Sequence, residues 1–196
     1  MIRSPRAFLS PKIYLAVMAT VPFTGIMALG LAFVITSGEI DLSFPSVMAV
    51  SGFIFTTAFF ATGSAVLALV VALIMGLAAG FLNGVLVTKI GVHSIVATIG
   101  MMFLWRGVVY VASQGAAQGL GAVRDTALYS ALVGRVGGVI PAQFLWMLLI
   151  VVVSWFILNR HRFGNDVYFV GDNESSAKVM GINIGRTKMF VFALAG

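Results

Sequence analysis

The sequence predicts an all-α polytopic membrane protein with at least four full spans and one further segment that is discontinuous or re-entrant. Two observations carry that prediction. Of the 196 residues, 60% are hydrophobic and 9% charged, with a mean hydropathy of +1.07, against roughly 25% charged residues in soluble domains. Uncharged runs then cover residues 13–38, 42–88 and 136–159, and about 20 apolar residues cross a ~30 Å hydrocarbon core as helix. Continuous runs such as FLWMLLIVVVSWFIL lack the alternation of a membrane β-barrel strand.

The first span is placed at 14–36, after Arg3, Arg6 and Lys12, which by the positive-inside rule sets the N-terminus in the cytoplasm. The run is too long for a signal-peptide core and is read as retained. Residues 45–61 give a short apolar piece, 65–88 a full crossing that ends at Lys89, and 92–112 another, interrupted by Arg106. A mixed loop at 113–138 precedes 140–159, which runs into Arg160, His161 and Arg162. Five full crossings would put the basic 160–188 segment outside, so the charge bias favours a 45–61 segment that does not cross. Only eight residues follow Lys188, or ~12 Å of helix, so residues 1–196 are expected to be a single transmembrane domain, truncated before completion.

No cysteine is present, which excludes disulfides and cysteine-based metal or redox sites. His93 has no second histidine at metal-ligand spacing, and no Walker sequence, nucleotide glycine loop or nucleophile elbow occurs. Neither an enzymatic site nor a bound cofactor is therefore expected. The formal charge of +6 distributes around span ends and is topological; nucleic acid is not an expected partner.

Gly76, Gly80 and Gly84 recur every four residues, a small-residue stripe that lets a second helix approach closely. Polar positions in this apolar background are candidates for a pathway or for helix packing. Glu39 and Asp41 close the first span and read either as ligand groups or as markers of the outer boundary, with Ser43 or Ser46 capping the next helix and Pro45 in its first turn. Asn83 needs a hydrogen-bonding partner across a helix interface. Arg106 either snorkels outward or pairs with Glu39 or Asp41. The three tryptophans decorate spans and interfaces, with Trp105 a possible stacking platform.

The segment 160–188 holds eight of the eighteen charged residues. Within it, DNESSAKVMG predicts one short helix. Asp172 or Asn173 caps it, Glu174 and Lys178 are i,i+4 partners, and Gly181 takes the left-handed closing position. Ala177, Met180 and Ile182 form a small apolar knob suited to a groove on another protein, or the helix lies on lipid headgroups with Arg186 and Lys188 meeting phosphates.

These stretches together resemble the permease subunits of bacterial ABC importers for monosaccharides such as ribose and xylose. TSGEIDLSFPS at 36–46 is similar to that family's TGGIDLSVGS, and GFLNGVLVTKIG at 80–91 to its GxxNGxLVxxxG. Ala97-Thr98 and Arg106-Gly107 follow in order, and RFGNDVYFVGDNESSAKVMGI at 162–182 matches RxGxxxYAIGGNxxAAxxxGI. Glu39 stands in place of a glycine, Phe44-Pro45 of Val-Gly, and His93 of a proline, while Asp172 and Ser176 replace Gly and Ala.

The resemblance implies a multi-pass protein of the bacterial inner membrane, shorter than the family's usual chains, that moves a small neutral sugar or polyol without covalent chemistry. It implies a cytoplasmic loop at 161–188 whose residues 172–182 couple to a separate ABC ATPase. Asp172, Asn173, Glu174, Ala177, Lys178, Met180, Gly181 and Ile182 are the coupling residues so implied. ATP and Mg would sit on that ATPase, and a second permease subunit, an external solute-binding protein and membrane lipid complete the expected partners. A secondary transporter or channel using Glu39, Asp41 or Arg106, and a noncatalytic scaffold or remnant, are the alternative classes.

Overall fold

The computed structural model describes residues 10–196; Arg3 and Arg6, used above for orientation, lie outside the described residues. Among the described residues five helices are long and apolar enough to cross a membrane: α1 (Pro11–Thr36), α2 (Phe44–Thr62), α3 (Ala65–Val85, continued to Ile90 by a π turn), α4 (Ser94–Ser113) and α6 (Ala142–Arg160). Between α4 and α6 lie a 3-10 turn (Gly121–Asp125), α5 (Ala127–Val133) and a hairpin of β1 (Arg135–Val136) with β2 (Ile140–Pro141). Three shorter helices follow: α7 (Arg162–Asp172), α8 (Glu174–Val179) and α9 (Ile184–Ala195).

The α2 segment corrects one expectation. It is a continuous helix of 19 residues, about 28 Å long, and not a broken or re-entrant piece. It gains length at both ends over the 17-residue apolar run, because Pro45 is accommodated in the first turn and Gly63, at φ +69, closes the last. With α2 crossing fully, the end of α1 falls at the same face as residues 160–188, not at the opposite boundary. Contacts at that face agree: a Cβ on Gly171 would stand 1.9 Å from the Thr36 carbonyl oxygen, so α7 lies directly against the end of α1.

The glycine stripe packs as its spacing predicts. A Cβ on Gly80 would meet the Phe192 oxygen at 2.1 Å, and one on Gly84 the Met189 Cα at 2.7 Å. Antiparallel α9 is thus seated in the stripe on α3, backbone against backbone. One buried cluster, Phe33, Val34, Val167, Val191 and Phe192, joins α1, α7 and α9 near the 160–188 face. A second, Phe59, Ala65, Ala68 and Val123, closes the other end under the 3-10 turn.

α7 is an addition to the sequence reading, which treated 162–172 as loop. Gly164, Val167 and Val170 are buried while Tyr168 and Phe169 are exposed, so it is an amphipathic helix lying along the end of the bundle.

Candidate functional site: a polar junction at the end of the bundle

The linker between α1 and α2, residues 37–43, is where the polar side chains converge. α1 ends in a Schellman motif: the amide of Glu39 donates to the Val34 carbonyl and that of Gly38, at φ +82, to the Ile35 carbonyl. This ending turns the chain sharply and directs Glu39 and Asp41 back toward the bundle.

Asp41 is buried and fully engaged. Its Oδ1 accepts from the Ser43 amide and the Ser43 hydroxyl, each at 2.7 Å, and its Oδ2 accepts from Asn83 Nδ2 at 3.2 Å. Asn83, completely buried on α3, also donates to Ser43 Oγ at 2.7 Å; its Oδ1 has no partner. The partner that Asn83 needs across a helix interface is therefore the Asp41–Ser43 pair. Ser43 occupies the N-cap position of α2, but its side chain makes no capping bond; its hydroxyl donates to the carboxylate two residues earlier instead. The amide of Ile40 donates to Ser94 Oγ at 3.3 Å, which fastens the linker to the start of α4 as well.

Glu39 pairs with a cation other than Arg106, the partner offered for it in the sequence. Lys188, in the second turn of α9, forms ion pairs with both Glu39 and Glu174. The Lys188 side chain is 10% exposed, Glu39 11% and Glu174 55%, so the pair with Glu39 is shielded and the one with Glu174 borders solvent. Such shielding strengthens each attraction over its value in water, at a desolvation cost that a second carboxylate offsets. Arg106 takes no part. It is exposed, twelve positions beyond Ser94 on α4, or about 18 Å toward the opposite face.

The short helix α8 forms where the sequence places it, with one of two offered caps selected and two corrections. Its N-cap is Asn173, whose side chain accepts from the Ser176 amide at 2.9 Å, while Asp172 ends α7. Glu174 pairs with Lys188, not with Lys178. Ala177 is turned inward at 1% exposure, so the outward apolar pair is Val179, 89% exposed, with Met180. The close is a second Schellman motif, in which the Gly181 amide, at φ +80, donates to the Lys178 carbonyl and that of Ile182 to the Ala177 carbonyl.

A polar cleft of about 690 Å³ opens at this junction, lined among others by Glu39, Thr88, His93, Ser94, Glu174 and Lys188. Among the described residues no group of three His, Cys, Asp or Glu side chains could hold a metal ion. Sequence reasoning missed Ser94 and, above all, misplaced Lys188, offered as a lipid-phosphate contact but buried here in two ion pairs. The signal for it was Glu39: a carboxylate in place of a glycine beside a helix end calls for a cation.

Five helices long and apolar enough to cross a membrane, ending in a clamped, surface-exposed short helix, are the architecture of a polytopic membrane protein. The chain belongs to the family described as branched-chain amino acid transport system / permease component, whose profile matches residues 13–196. It is similar to the inner membrane ABC transporter permease protein YjfF of Escherichia coli (strain K12), 36% identical over 96% of this chain and 57% of that protein. It is also similar to the ribose import permease protein RbsC of the same strain, 34% identical over 87% of this chain and 53% of the relative. The L-arabinose ABC transporter permease protein AraH of Azospirillum brasilense is 32% identical over 96% of this chain and 55% of the relative. The chain spans a little over half the length of these relatives. No solved structure matches it.

Proposed function

We propose that this chain is the membrane-spanning permease of an ATP-driven importer for a small neutral sugar or polyol in the bacterial inner membrane. Its partners are a cytoplasmic ABC ATPase carrying ATP and Mg, a second permease subunit, identical or homologous, and an external solute-binding protein. The 160–188 face is the cytoplasmic one, which with five crossings places Lys12 and the start of α1 outside, the reverse of the orientation that the basic flank favours. The relatives named for ribose and arabinose support the class of cargo.

The observation that carries the reading is the bridge from α8 through Lys188 to Glu39. α8 presents Val179 and Met180 outward, and residues 172–182 dock on the ATPase through this exposed side. Closure of the ATPase pulls α8, and the Glu174–Lys188–Glu39 bridge passes the displacement to the 37–43 linker. From there the Asp41–Ser43–Asn83 bonds hand it to α3, and Ser94 to α4, so the bundle shifts between two packings as units and not by local deformation. The chain makes and breaks no covalent bond of its cargo.

Ion-gradient coupling through Glu39 or Asp41 finds less support, since the ammonium of Lys188 engages the first and Ser43 and Asn83 the second. The test is co-purification of the full-length gene product with the ABC ATPase encoded alongside it. A stable complex whose ATP turnover in lipid rises with loaded binding protein is expected; a well-inserted permease that forms no complex would overturn the reading.

A further inference from the structure

We propose that Lys89 and Arg186 form a site for the phosphate of an anionic phospholipid, at the membrane surface beside α3 and α9. The register of the two helices sets it up. Gly84 abuts Met189 and Gly185 abuts Thr88, so in this antiparallel pair Lys89, in the π turn that ends the third span, comes level with the first turn of α9. A groove of about 380 Å³ runs there between Phe81, Lys89, Asn183, Arg186, Met189 and Phe190.

Its lining is graded along the membrane normal. The cations and Asn183 stand at the mouth, where the span ends. Phe81 lies two turns of helix deeper, and Phe190 one turn beyond Arg186; these rings are 49% and 52% exposed. That order, charge at the surface and apolar rings below, matches a headgroup followed by an acyl chain and is the arrangement by which basic pockets between transmembrane helices bind anionic headgroups. The two cations are exposed, and both ion pairs among the described residues belong to Lys188. The neighbouring cleft, which Arg186 also lines, holds one carboxylate, Asp166, and a second cation, Arg162. Arg186 lies over the Phe190 ring at 5.6 Å, which leaves the edge N–H groups of its guanidinium free for a phosphate.

The site depends on the spans, not on the transport reading. The test places the full-length permease in mixed nanodiscs and measures, by native mass spectrometry after detergent release, how many phosphatidylglycerol and phosphatidylcholine molecules it retains. Wild type is expected to retain phosphatidylglycerol preferentially. Lys89→Ala and Arg186→Ala each lower that preference about fivefold, the attraction typical of one cation at a membrane surface, and the charge-retaining Lys89→Arg/Arg186→Lys variant keeps it. Arg160→Ala, an interfacial cation outside the groove, leaves the preference unchanged. No preference in wild type, or an equal loss in Arg160→Ala, would overturn the site in favour of diffuse surface charge.

Discussion

Lys188 of α9 and Glu39 of the α1–α2 linker stand 149 positions apart in the chain and meet in a shielded ion pair. Lys188→Met removes the ammonium and leaves the Glu39 carboxylate without a counter-charge. The expected loss is about 3 kcal/mol, because an uncompensated buried charge costs more than the pair contributes. Thermal unfolding of the full-length protein in lipid measures it. Lys188→Met/Glu39→Leu is expected to recover most of the loss, and a double variant as unstable as the single would contradict the pairing.

The Gly80 contact sets a steric prediction. Gly80→Val drives a branched side chain into the α9 backbone, 2.1 Å from the Phe192 oxygen for the Cβ alone, and is expected to cost about 2 kcal/mol or to unseat α9. Gly52 on α2 has nothing within 4 Å, so Gly52→Ala changes stability by less than about 1 kcal/mol, toward greater stability on helix propensity. Equal effects of the two in the same unfolding assay would sink the account of the stripe.

For the buried network, two substitutions at Asn83 should rank in a fixed order. Asn83→Ala leaves Asp41 Oδ2 without its donor and costs about 2 kcal/mol. Asn83→Asp sets a second carboxylate against Asp41 and is worse at neutral pH, since neighbouring carboxylates cannot both ionise cheaply. Comparable stability of Asn83→Asp and wild type at pH 7 would show that Asn83 does not donate to Asp41.

Much of the fold is legible in the sequence because it is local. Five apolar runs become five helices, the four-residue glycine spacing finds its partner helix, and Asn173 and Gly181 bound the short helix by capping chemistry that acts within a few residues. What is not legible is tertiary. The i,i+4 rule pairs Glu174 with Lys178, yet the cation that wins is fourteen positions away, brought there by α9 folding back along α3. The orientation of the Glu39 end was lost for a related reason. Charge bias weighs the ends of spans without seeing which ends meet, whereas contacts at Glu39 and Gly171 show it.

That count is open to direct labelling, and the chain has no cysteine to interfere. Single cysteines at Ile40 and Asn165, both exposed, should react with a membrane-impermeant maleimide from one side, and one at Ser64 from the other. Labelling of Ile40→Cys and Asn165→Cys from opposite sides would restore the re-entrant arrangement of α2.

The role of the bridge in coupling is tested most directly by ATP turnover of the full-length permease assembled with its ATPase in lipid, wild type against Glu174→Ala, with and without loaded binding protein. Glu174 is the half-exposed member of the triad, so its loss severs α8 from Lys188 while the Glu39 pair stays intact. The bridge predicts that the Glu174→Ala complex assembles and keeps its basal turnover but loses most of the stimulation by binding protein. Stimulation at the wild-type level in an assembled Glu174→Ala complex would contradict it.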